Sequence, residues 1–142
     1  MQGNLNDNTK IVQMIDAEDI AAGTNNSTGQ DTKEFREALF IVNAKNNSAG
    51  AATIQLNIQE SDLVGGTFVL IAGATHTAVS IATTVATQII GRVNLDELVD
   101  GNAFVRAQVI TATNNVTYGV QMILSSGYYK PVVNADEQFD VG

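Results

Sequence analysis

Residues 102–132, NAFVRAQVITATNNVTYGVQMILSSGYYKPV, constrain the fold more than any other stretch of this chain. Two long runs within it alternate with period two, the repeat of a half-buried strand. In the first, Ala103, Val105, Ala107, Val109 and Thr111 share one face, and Phe104, Arg106, Gln108 and Ile110 share the other. In the second, Tyr118, Val120, Met122 and Leu124 oppose Thr117, Gly119, Gln121 and Ile123. The break at Thr113-Asn114-Asn115 predicts a tight turn, and so a β-hairpin. Gly127 closes the second run, and Pro131, the only proline, bars a further central strand because it cannot donate to a ladder.

The remaining strands follow from the same reasoning. Residues 34–45 (EFREALFIVNAK) are almost continuously apolar from Ala38 to Val42, as in a central strand covered on both faces. After a turn at 46–50, residues 52–61 (ATIQLNIQES) set Ile54, Leu56 and Ile58 inward, against Thr53, Gln55, Asn57 and Gln59 outward. Residues 67–72 (TFVLIA) predict a short buried strand, and residues 73–86 an edge strand or an ordered loop. Residues 88–95 (QIIGRVNL) predict a strand with Gly91 at a bulge or a close approach. About six to eight strands, with turns every eight to twelve residues and no long helix, predict an all-β antiparallel sandwich, jelly-roll-like or barrel-like.

The two ends differ from this body. Residues 1–33 hold one apolar run, Ile11-Val12-Gln13-Met14-Ile15, followed by acids and the tract AAGTNNSTGQ. This segment has too few large apolar residues to fold alone, so it predicts an extended arm lying on this body or on a neighbour. Asp16 to Gly23 offers a short helix as the alternative. The chain therefore divides into an arm (1–33), a β domain (34–132) and an acidic, extended tail (133–142).

Composition excludes several kinds of function. The 15 acids against 7 bases give a net charge of −8, and the bases are scattered, so no patch exists to release counterions from nucleic acid. No apolar run approaches the roughly 20 residues of a membrane helix. The absence of cysteine removes disulfides, thiolate nucleophiles and cysteine-based zinc sites. Residues 1–10 lack the basic and apolar segments of a signal peptide, which predicts a protein made in a cytoplasm that stays soluble until it meets its partner. Only 15% of residues are charged, against about 25% in an average domain. A surface of Asn, Gln, Ser and Thr repels itself weakly and suits burial in an assembly.

The residues that could carry chemistry do not combine. His76, the only histidine, has no acid nearby in sequence to orient it as a base. The Asp96-x-x-x-Asp100-Gly101-Asn102 run lacks the later ligands of a calcium loop, and reads as a turn. Glu60 and Asp62 read as solvated charges at a strand end. The expectation is a non-enzyme with no cofactor and no metal. Binding falls instead to Ile11, Val12, Met14 and Ile15 on the arm, which would add to a partner's sheet edge, and to Tyr128 and Tyr129 beyond the second run.

In order, the chain carries a polar arm, FREALFIV at 35–42, a strand ending in Gln59-Glu60-Ser61-Asp62, TFVLIA, QIIGRVNL, and the long stretch described first. This order resembles small virion proteins of tailed bacteriophages, the head decoration or cement proteins. The matching positions are Phe104-Val105-Arg106, Thr111 to Thr113, Tyr118-Gly119-Val120 and Tyr129-Lys130-Pro131, within roughly residues 31–132. The resemblance implies a non-catalytic protein, made in the host bacterium, that binds the outer surface of the head. It implies a homotrimer bridging subunits of the phage major capsid protein, with neither nucleic acid nor membrane as partner. A neck, tail or head-fibre component, and a carbohydrate or host-surface binding module, are the alternatives.

Overall fold

The computed structural model describes residues 9–126 and 137–141. In chain order the strands are β1 (Thr9–Ile20), β2 (Gly23–Asn26), β3 (Gln30–Asp31), β4 (Glu37–Lys45), β5 (Ala52–Ser61), β6 (Val69–Thr75), β7 (Val79–Ile81) and β8 (Ala86–Asn94). A 3-10 turn (Leu95–Glu97) precedes β9 (Phe104–Ala112), β10 (Val116–Ser125) and β11 (Glu137–Val141). One sheet has the order β1-β10-β4-β8-β11; the other runs β2-β9-β5-β6, with β3 also on β9 and β7 also on β5. Strands remote in sequence pair, and among β1, β2, β4, β5, β6, β8, β9 and β10 every consecutive connection but that from β5 to β6 crosses from sheet to sheet. That is the topology of a jelly roll.

The predicted alternation holds along both runs of residues 102–132, but the hairpin does not form. β9 pairs with β5 and β2, whereas β10 pairs with β1 and β4. Residues 113–115 carry the chain from one sheet to the other, with Thr113 in the left-handed region (φ 79°). Asn114 Nδ2 donates to Ala51 O (2.9 Å) and Ser48 Oγ to Asn115 O (2.9 Å), which fixes this arch to the turn after β4. Alternation reports one buried face per strand and is identical for a hairpin and an arch. Two further facts favour the arch: the turn lacks the glycine of a primed hairpin turn, and three residues suffice to cross the roughly 10 Å between packed sheets.

The inward faces form one core. Phe40 and Val42, Ile54, Leu56 and Ile58, Val105, Ala107 and Val109, and Tyr118, Val120, Met122 and Leu124 are all buried in it. Each large aliphatic side chain so placed contributes about 1.5–3 kcal/mol. β5 follows its predicted bounds and inward set residue for residue. β6, expected to be buried, is an edge strand with Val69 and Leu70 exposed.

Residues 9–31, expected as an arm, are strands of both sheets. β1 runs along β10 from Thr9↔Ser125 to Ile20↔Val116. A register shift between Gln13 and Ile15 lets Val12 face Met122 and Ile15 face Val120, so both point inward. A second shift seats Ala17 over Gly119, where an added Cβ would lie 3.0 Å from the Ala17 Cβ. The stretch from Asp16 is therefore strand, not helix. β2 and β3 continue on β9, and Ser27 exchanges bonds with Ala107 through both its amide and its hydroxyl (2.9 Å each). Residues 1–8 lie outside the described residues.

At the other end β11 pairs with β8 in parallel, Phe139 beside Gly91 and Val141 beside Val93. Gly91 is a close approach within an unbroken ladder: a Cβ there would overlap the Phe139 ring. Phe139 and Val141 pack against the core and close that side of the sandwich.

Candidate binding surfaces

The residues proposed for binding from sequence separate once folded. Ile15 is buried in the core, and Val12 and Met14 pack half-buried against it. Of the four, Ile11 alone points outward, 67% exposed beside Ile123 on the outer face of the first sheet. Tyr128 and Tyr129 lie outside the described residues. The register shift separates these fates, and a run of apolar letters does not reveal it.

Glu60 corrects a second expectation. It is 2% exposed, not a solvated strand end. Its Oε1 accepts hydrogen bonds from the Val99 amide (3.0 Å) and from Asn102 Nδ2 (2.9 Å), while its Oε2 is buried with no partner. The parity of β5 carries the signal, since Glu60 continues the inward series Ile54, Leu56, Ile58. It ties the 95–103 connection to the end of β5, together with the Ala103 amide bonded to Ser61 O (3.2 Å). Around this end Leu63, Val64, Val69 and Val99 are exposed.

His76 is half-buried, with Nδ1 2.8 Å from Thr77 O and its ring 6.4 Å from that of Phe139. Among the described residues no three His, Cys, Asp or Glu side chains gather as metal ligands would.

The outer face of the second sheet is built from amides and hydroxyls. Asn26, Gln108, Asn57 and Thr75 are register partners across four strands. Gln108 Nε2 donates to Asn26 Oδ1 (3.1 Å), and Asn57 Nδ2 to Gln108 Oε1 (3.0 Å). Thr75 Oγ1 donates to Asn57 Oδ1 (2.5 Å), and Gln55 Nε2 reaches both Asn57 Oδ1 (3.1 Å) and Thr75 Oγ1 (3.2 Å). In the adjoining row Arg106 Nε donates to Gln59 Oε1 (2.7 Å), and the guanidinium lies over the Phe68 ring, 4.5 Å from its centroid. Phe68 reaches Gly29, whose missing side chain leaves room for the ring, so the 62–68 connection folds over this end of the face.

The first sheet carries a shallower feature on its outside. Gln13, Ala17, Asn43, Gly119 and Gln121 line a depression of about 190 Å³. Gln121 Nε2 donates to Gln13 Oε1 (3.1 Å) and Gln88 Nε2 to Asn43 Oδ1 (2.8 Å) around it. The outer face of the second sheet is thus polar over much of its area, whereas that of the first also carries Ile11, Ile123 and Leu39 in one register row and Ile41 and Ile90 in the next.

No protein-family profile matches the chain, and no curated protein matches it. Among solved structures, a chain of the T13 IBDV viral particle superposes with a TM-score of 0.60 at 8% identity, over 84% of this chain and 32% of that one. A chain of infectious bursal disease virus, Gx strain, gives 0.53 at 9% identity, over 87% of this chain and 34% of the other. The likeness is one of fold. The same holds for the C-terminal family 22 carbohydrate binding module of Clostridium thermocellum Xyn10B, with 0.52 at 13% identity over 87% of this chain and 84% of the module. This chain spans about a third of the length of the viral chains it resembles.

Proposed function

We propose that this protein is a non-catalytic structural component of a phage particle that decorates the outer surface of the head. In this reading it sits as a homotrimer over the shell and bridges subunits of the major capsid protein, without nucleic acid or membrane as partner. It is made in the host bacterium and resides in the virion. The observation that carries the reading is the jelly-roll topology, a fold that viral capsid domains use repeatedly. The likeness to the IBDV particle chain over 84% of the sequence supports it, as does the order of sequence elements shared with decoration proteins. The low charge supports it too, because a neutral polar surface loses little on being covered.

With β1 part of the body, the grip cannot come from a free arm of residues 9–31. Ile11, exposed on the outer face beside Ile123, is the described member of the expected contact set that remains available, with Tyr128 and Tyr129 as further contacts. The test is reconstitution on purified heads stripped of this protein. Ile11→Asp should weaken binding to the heads by roughly tenfold or more, the equivalent of about 1.4 kcal/mol, while leaving the fold intact. Full-strength binding by that variant would remove Ile11 from the interface, and failure of the unaltered protein to bind heads would overturn the function.

A further inference from the structure

We propose that the outer face of the second sheet binds an extended, uncharged glycan laid across the strands along the row Asn26–Gln108–Asn57–Thr75.

The row is a single register line through β2, β9, β5 and β6. With neighbouring strands about 4.8 Å apart, it extends about 14 Å, enough to meet several linked sugar rings. Its chemistry matches hydroxyl groups, which donate and accept at the same oxygen. A carboxamide likewise offers two N–H donors and an acceptor oxygen with two lone pairs. Asn26 Oδ1 and both Gln108 amide atoms each use one hydrogen or one lone pair and keep further capacity, while Asn57, 8% exposed with Oδ1 accepting from both Gln55 and Thr75, is the buttress beneath them. The same bonds hold the amides in fixed orientations, so little rotamer freedom remains to be lost when a ligand binds.

Charge narrows the ligand class. The chain carries a net charge of −8, yet the outward residues of β2, β5, β6 and β9 include no carboxylate, and the one on β3, Asp31, sits at the far end of the face opposite Phe104. Their one cation, Arg106, already faces Gln59 and Phe68. Such a face neither attracts a polyanion nor complements a basic partner. A peptide strand would seek an open sheet edge, where backbone groups are free, whereas here the backbone of β5 and β9 is committed to the ladder on both sides. Half-buried Phe104 and Ile110 lie on the same face and give the C–H surfaces of sugar rings something to rest on.

The full-length protein, labelled with nitrogen-15, would be titrated with soluble xylo-, cello- and manno-hexaose to millimolar concentration. The expected result is a saturable shift of the side-chain amide signals of Asn26, Gln55, Asn57 and Gln108 with at least one of these. The Asn26→Ala/Gln108→Ala double variant should bind roughly tenfold more weakly, the loss of one or two hydrogen bonds. Should that variant fold poorly, Gln108→Glu keeps the shape and the acceptor oxygen but removes the Nε2 donors that hold Asn26 and that a sugar oxygen would use, and should weaken binding comparably. The proposal is overturned if none of the three sugars shifts these signals. Shifts confined to other surfaces, undiminished binding by the variants, or a response to polar peptides but not to sugars would overturn it equally. Because head binding is tested through Ile11 on the opposite sheet, failure here leaves the shell reading untouched, and the reverse holds.

Discussion

Glu60 is a buried carboxylate whose work is local. One of its oxygens satisfies two donors of the 95–103 connection and the other satisfies none. Glu60→Ala would leave the Val99 amide and the Asn102 side chain without their acceptor, and should cost about 2–4 kcal/mol in urea unfolding. Glu60→Gln should cost less, since one oxygen remains to accept. Tyr118 is the other buried polar group of note: Asn25 approaches its hydroxyl outside hydrogen-bond geometry. Burial pushes its phenol above the ordinary 10.0, Asn25 pulls slightly the other way, and the charge of Glu18 adds to the rise. The unfolded chain then loses the phenolic proton before the folded one does. Stability from this group is therefore complete below about pH 10 and declines as pH rises through the higher folded value. Tyr118→Phe should be nearly neutral at pH 7 and should flatten that alkaline decline, as thermal melts across the range would show. At this scale the sequence was legible where parity was followed. Parity sets Tyr118 on the face of Val120 and Met122, and the inward series Ile54, Leu56, Ile58 extends to Glu60.

Strand β1 looks in sequence like an appendage because its apolar residues are few and its second half is acidic. Those few suffice because β1 lies at an edge, where only one side of the strand needs a partner and the register shifts turn Val12 and Ile15 to the same side. Removing residues 1–20 would bare the hydrogen-bonding edge of β10 and part of the core beneath Ile15. Such a truncation should aggregate or fail to give a cooperative melt, where a protein with a dispensable arm would melt normally. β11 depends on a single seat. Gly91→Ala would displace the Phe139 ring, and should lower stability by about 1–3 kcal/mol and speed amide exchange in residues 137–141. The elements themselves were largely readable: β5 to its end residues, β4 and β8 to within a few positions. Their partners were not, because alternation is a local property and pairing is set by residues as distant as Gly23 and Thr111. The arch at 113–115 shows how two architectures share one local pattern.

For the whole molecule, the architecture brings one polar outer face, one with an apolar row through Ile11, Ile123 and Leu39, and an end with exposed Leu63, Val64, Val69 and Val99 onto one sandwich. The core runs unbroken between the sheets. The fold class was legible because strand spacing and composition constrain it strongly; the binding surface was not, since it is assembled from outward residues of four strands that meet only after folding. The central claim, that this is a shell component of a phage particle, is tested most directly by quantitative mass spectrometry of purified virions of the phage that encodes it. A copy number in simple proportion to the major capsid protein is the predicted result. Absence from the particle, or only the few copies of a neck or vertex, would contradict it.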